Sequence, residues 1–207
     1  MKRIFADLWL LMIAVALAGC PRPRTNSVSL QQPSNTCHVT GSIFKERQKK
    51  PNGCWLTSAA MLVSWKEQRR ITADQLVENL GEPWSKLYLQ DAGLPRNQCY
   101  DFARALGLKF EWPANHLPGF YCDSIRKFGP LWLTTSDALS SHARLMIGLE
   151  SKGSDLLVLF IDPRTGRGAS QSFETFFQEF EHEANLVVSN RPDLDLPIQI
   201  IHLPAQR

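Results

Sequence analysis

Cys54, His142 and Asp162 follow one another in contexts that suit a nucleophile, a base and a residue to orient the base. Cys54 comes directly after the turn sequence Pro51-Asn52-Gly53 and opens the apolar run CWLTSAAMLVSW, whose spacing predicts a helix starting at or beside the cysteine. A thiol at a helix N-terminus meets unpaired N–H groups and the positive end of the helix dipole, which lower its pKa from about 8.5. Asp162 closes the strand-like LLVLFID just before a Pro-Arg-Thr-Gly turn. The chemistry open to such a set is acyl transfer: an imidazole takes the thiol proton, the thiolate attacks a carbonyl, and a carboxylate fixes the tautomer of the imidazole. The tetrahedral intermediate needs donors for its oxyanion, and the amide of Gln48, six positions before Cys54, together with the Cys54 backbone N–H is a suitable pair. Neither a metal nor an organic cofactor is required.

Among the five histidines, only His142, in SSHARLMIGLE, leads into an apolar strand pattern. His38 lies near a tether-like segment, His116 in a Pro-rich loop, His182 at an acidic helix end and His202 in the tail. Taken singly, each candidate also has a purely structural account: Cys54 as a small apolar residue under a turn, Gln48 as a surface residue, His142 as a satisfied core histidine and Asp162 as a turn former.

The elements that must position these residues divide along the chain. Trp55, Ala59, Leu62 and Val63 share one helical face, with no breaker before Arg69; Thr72-x-x-Gln75 reads as a capping box opening a short helix closed by Gly81. A third helix is predicted over Pro95 to Leu106, stopped by Gly107 and followed by extended LKFEW. After a short helix around Cys122–Lys127, Gly129-Pro130 turns into LWLTT, and ARLMIGLE and LLVLFID read as buried strands separated by SKGSD. A helix built on the stripe Phe173, Phe176, Phe177 and Phe180 follows, then NLVVSN and PIQIIHL as strands. Helices first and strands afterwards predict an α+β domain with two lobes and a site in the crevice between them.

Gln-x5-Cys-Trp, Gly129-Pro130-Leu131, His142-Ala143 and Asp162-Pro163, in this order, resemble the papain-like cysteine proteases. The compact bacterial branch, with its effector proteases and the peptidase domains of peptide exporters, is the most similar, over residues 44–181. The resemblance implies a two-lobed papain-like fold, with an N-terminal helical lobe carrying the nucleophile and a C-terminal antiparallel sheet lobe carrying His and Asp. It implies catalytic Cys54, His142 and Asp162, an oxyanion role for Gln48, a packing role for Trp55, and a peptide or protein substrate. Two departures from papain itself, a shorter Cys-to-His interval and aspartate in place of asparagine, fit the compact branch. A related amide-bond enzyme (cell-wall peptide amidase, deamidase or transglutaminase) and a catalytically inactive binding lipoprotein on the same fold remain alternatives. Gly53 before Cys54 departs from the Asp-Cys start of one large group of cell-wall peptidases.

The N-terminus reads as a targeting segment rather than as part of the fold. Met-Lys-Arg precedes an apolar stretch ending in Leu17-Ala18-Gly19-Cys20, shorter than the ~20 residues of a comfortable membrane span. Leu-Ala-Gly-Cys resembles the lipobox of bacterial lipoproteins, which implies a signal peptide over 1–19 and lipidation of Cys20; an ordinary secretory signal and an uncleaved anchor are the competing readings. Residues 20–36 then form a lipidated cysteine and flexible tether, rich in Pro, Ser, Asn and Gln, with a reach of roughly 20–25 Å. The peptidase domain is expected over 37–207. Pro21 rather than Asp after the cysteine is similar to proteins of the outer membrane, facing the periplasm. Export places the chain in an oxidising compartment, where Cys37, Cys99 and Cys122 offer one disulfide and one free thiol without the spacing saying which.

At 207 residues, with 43% hydrophobic and 21% charged residues, the chain is sized for one domain with a real core, expected as a monomer. A net charge of +3, scattered over short interrupted runs, argues against a nucleic-acid partner. No C-x-x-C pair or H-E-x-x-H points to zinc.

Overall fold

The structure, a computed structural model, describes residues 35–136, 140–190 and 198–205. The expected signal peptide, Cys20 and most of the tether lie outside the described residues. Helices α1 (Cys54–Glu67), α2 (Ala73–Leu80), α3 (Trp84–Leu89) and α4 (Cys99–Ala105) come first. Strand β1 (Cys37–His38) precedes them, and β2 (Lys109–Glu111), α5 (Pro118–Phe128), β3 (Leu131–Ser136), β4 (Ser141–Lys152), β5 (Asp155–Asp162), β6 (Arg167–Ser172), α6 (Phe173–Asn190) and β7 (Ile200–His202) complete the order. This is the expected α+β arrangement of N-terminal helices and a C-terminal antiparallel sheet.

Helix α1 is enclosed rather than amphipathic. Trp55, Leu56, Ala59, Ala60, Met61 and Leu62 are buried, and so are the small polar residues Thr57, Ser58 and Ser64. The small side chains of Thr57, Ser58, Ala59, Ala60 and Ser64 let neighbouring elements close on the helix. Helix α2 carries the capping box in full, with the Gln75 N–H donating to the Thr72 hydroxyl and the Thr72 N–H donating to the Gln75 side chain.

The sheet runs β2-β7-β3-β4-β5-β6, all its pairs antiparallel. Strand β4 is long enough to serve two partners besides β5: Ser141–Met146 pair with β3, and Gly148 and Leu149 pair with β1. Gly148 is needed there, because a Cβ would lie 2.5 Å from the Cys37 carbonyl. Both sheet faces are covered. Trp132, Ala143, Leu145, Ile161 and Ile201 pack against the N-terminal helices, while Leu131, Leu133, Met146, Val158 and Phe160 meet Tyr121 and Ile125 of α5 and Phe176 and Phe180 of α6. Burial on both sides explains why these strands read as apolar runs instead of clean alternations. A disulfide joins Cys37 to Cys122, tying β1 to α5 and leaving Cys54 and Cys99 as free thiols.

Three readings need correction. NLVVSN is the last part of α6, not a strand: a helix already running on the phenylalanine stripe continues through two valines whose β preference amounts to a fraction of a kilocalorie each. The helix expected over Pro95 to Leu106 splits into a 3₁₀ turn, Arg96–Gln98, and α4. Helix α5 starts at Pro118, with proline in its first turn, well before Cys122.

Candidate active site

Cys54 stands at the first position of α1, and Gly53 before it offers no side-chain cap. The first-turn N–H groups are therefore available to the sulfur, and the Trp55 N–H interacts with it. Helix α1 is bolted to the sheet by two bonds: the Ser58 hydroxyl, one turn after Cys54, donates to the Ala143 carbonyl at 3.2 Å, and the Trp132 indole donates to the Trp55 carbonyl at 2.9 Å. These contacts fix the helix start beside the beginning of β4. The Ala143 N–H in turn interacts with the thiol.

His142 and Asp162 meet because β4 and β5 form an antiparallel hairpin. Leu145 pairs with Ile161, so the first residues of β4 lie beside the end of β5. The His142 Nε2 and Asp162 Oδ1 are 2.9 Å apart across twenty residues of sequence. The other ring nitrogen, Nδ1, is buried without a standard hydrogen bond and is the one left for the Cys54 thiol, which interacts with this ring. The same Asp162 Oδ1 accepts the Arg164 N–H at 2.8 Å, and the Thr165 hydroxyl and the N–H groups of Thr165 and Gly166 bond the Asp162 carbonyl. The Pro-Arg-Thr-Gly turn thus holds the carboxylate rigidly toward the imidazole.

Gln48 sits where the nucleophile-bearing segment touches that turn. Its backbone N–H donates to the Pro163 carbonyl at 2.7 Å, while its side-chain Nε2 donates to the carbonyls of Lys50 (2.9 Å) and Pro51 (2.6 Å). The amide therefore braces the Pro51-Asn52-Gly53 turn, and it does not line the cleft. Cys54, His142 and Asp162 are brought together; Gln48 is adjacent but engaged elsewhere.

Burial is the largest single influence on all three ionisable groups, and in each case it is outweighed. It pushes the Cys54 thiol up, but hydrogen bonds from His142, Ala143 and Trp55 and the imidazolium charge bring its pKa down below the ordinary value. It pulls His142 down, but the bonds to Asp162 and Cys54 raise its pKa above 6.5. It lifts Asp162, but the His142 bond and the Arg164 N–H hold its pKa below 3.8. Both shifts favour the thiolate–imidazolium form of the pair over the neutral one. Alkylation of Cys54 by iodoacetamide is expected to rise with pH through a step below the ordinary thiol range of about 8.5. A single step at that ordinary value would contradict the coupling.

The pair opens onto a cleft of about 300 Å³, walled by Trp55, Leu94, Pro95, Trp132 and Ile198 and by the charged Arg96, Arg164 and Glu183. Glu183, 2% exposed, receives the Arg96 Nε at 2.6 Å and Nη2 at 3.1 Å, the Ser141 hydroxyl at 2.7 Å and the Ser136 hydroxyl. This network fastens the residue before His142 to the segment across the cleft. Sequence reasoning missed Ser58, Trp132, Arg164 and the Arg96–Glu183 pair. Ser58, one helical turn after Cys54 in a mostly apolar run, carried a local signal.

A family model described as papain-like cysteine protease AvrRpt2 matches residues 36–181. A comparison with curated proteins finds no match.

Proposed function

Because the chain belongs to the papain-like cysteine protease family and is a cysteine protease, we propose that it hydrolyses peptide bonds through Cys54, His142 and Asp162. The observation that carries this reading is the 2.9 Å contact of His142 Nε2 with Asp162, which leaves Nδ1 toward the thiol. In the proposed cycle Nδ1 takes the Cys54 proton and the thiolate attacks the carbonyl carbon. The tetrahedral intermediate collapses to a thioester as His142 returns the proton to the leaving amine. Water, deprotonated by His142, then attacks the thioester and releases the acid and the thiol. The Cys54 N–H and the Gln48 amide serve the oxyanion, Gln48 exchanging its Pro51 carbonyl for the substrate oxygen.

Protein substrate and purified cell wall, each incubated with wild type and Cys54→Ala, test the reaction class. Thiol-dependent cleavage of the protein is expected, and release from cell wall alone would assign the site to the amidase alternative.

The same proposal places the enzyme on a bacterial membrane through a lipid on Cys20. Leu17-Ala18-Gly19-Cys20 supports it, and so does the Cys37–Cys122 disulfide, a bond that belongs to oxidising compartments. Metabolic labelling with palmitate should mark the wild type and fractionate with membranes; Cys20→Ser should lose both. Equal labelling of the two would remove Cys20 as the anchor.

A further inference from the structure

We propose that Arg164 makes this cleft selective for peptides bearing a carboxylate beside the scissile bond, an acidic side chain or a chain-terminal carboxylate. The inference rests on the peptidase reading above and names its substrate class.

Apart from Cys54 and His142, three charged side chains line the cleft: Arg96, Glu183 and Arg164. Arg96, half-buried, and Glu183, buried, neutralise each other in a bidentate pair. Arg164 is exposed, its one side-chain hydrogen bond runs from Nη2 to the Ser140 hydroxyl at 3.2 Å, and among the described residues no carboxylate lies within ion-pair distance of it. The other arginines that reach buried parts of the structure differ in this respect, since Arg144 holds Glu179 at 2.8 Å as Arg96 holds Glu183. The remaining guanidinium N–H groups of Arg164 are thus unspent donors on the wall of the cleft.

The backbone of Arg164 is also fixed relative to the reacting atoms. Its N–H is bonded to Asp162 Oδ1, its carbonyl accepts the Arg47 Nε at 3.3 Å, and the preceding carbonyl of Pro163 accepts the Gln48 N–H. A cation anchored two residues from the group that orients His142 addresses the chain on either side of the bond being cut. A guanidinium fork matches a carboxylate in two parallel hydrogen bonds, a geometry that an amide of the same shape cannot reproduce.

The test uses the full chain. Bonds cut in a mixture of peptides are mapped by sequencing. The best substrate is then resynthesised as Asp/Asn and Glu/Gln pairs at each position flanking the bond, and as free acid and amide at its C-terminus. For wild type, kcat/KM is expected to be about 10-fold or more higher for the carboxylate member at one position, and Arg164→Gln is expected to bring that ratio to about one. The position of the effect separates a side-chain carboxylate from a terminal one. A general electrostatic influence of Arg164 on His142 would change both members of a pair alike and leave the ratio untouched. Cleavage without any carboxylate preference, or a preference that survives Arg164→Gln, overturns the inference alone. Absence of peptide cleavage overturns the peptidase reading and the inference with it.

Discussion

Cys54→Ala is expected to lower turnover of any protein substrate by at least about 10⁴-fold, because removal of the nucleophile leaves only binding and oxyanion stabilisation. The fold should be unaffected. Cys54 is partly exposed, at the first position of α1, and the bonds that hold this helix to the sheet come from Ser58 and the Trp55 carbonyl, not from the thiol. The exchange of sulfur for hydrogen at that position lies within the range of a mild substitution, about 1 kcal/mol or less. Thermal unfolding measured beside activity separates the two effects. Residual turnover above about a tenth of wild type would assign the chemistry to another group, and a large fall in Tm would make the activity loss uninformative about catalysis.

Removal of the Cys37–Cys122 bond is expected to cost about 4 kcal/mol of stability. The bond closes 85 residues, and loop-closure entropy for that length lies close to the 4.7 kcal/mol estimated for about 100 residues. Strand β1 is two residues long; besides the crosslink it is held by pairing with β4 at Gly148 and Leu149, by the Val39 N–H donating to the Ile147 carbonyl at 2.8 Å and by Arg126 Nη2 donating to the Thr36 carbonyl at 3.1 Å. Its loss exposes a stretch of the β4 edge and the side of α5 carrying Cys122. Urea unfolding of Cys37→Ser/Cys122→Ser against the oxidised wild type should show the midpoint shift, and reductant should move the wild type toward the variant. Coincident curves would mean that the folded domain does not depend on the crosslink.

What the sequence discloses about this site is what local chemistry encodes. A cysteine after Pro-Asn-Gly and before an apolar helix, a histidine heading a strand and an aspartate closing the next one are each visible within a dozen residues. Their convergence depends on the hairpin register that sets Leu145 against Ile161, and an apolar run of fixed length conveys that only in outline. Non-local pairs leave no such trace. Arg96 and Glu183 are 87 residues apart, and nothing in RNQ or in the acidic middle of α6 names the other. Strand β6, RGASQS, lacks any alternation because its side chains are exposed or half-buried and its pairing is templated by β5. The six residues of α3 are too few for periodicity to register. Gln48 shows the opposite difficulty: its spacing from Cys54 is plain in the sequence, whereas the use of its amide on the Lys50 and Pro51 carbonyls is a property of the turn once folded.

The most direct measurement is labelling of the folded enzyme with a peptidyl electrophile that reacts with an activated thiolate, followed by mass-spectrometric mapping of the adduct. The protein carries its own control, since Cys99 lines the same cleft yet burial pushes its pKa up to about 12. Stoichiometric modification of Cys54 at neutral pH with Cys99 unmodified is the predicted result. Modification of Cys99 in preference, or of neither cysteine, would contradict the assignment of Cys54 as the nucleophile.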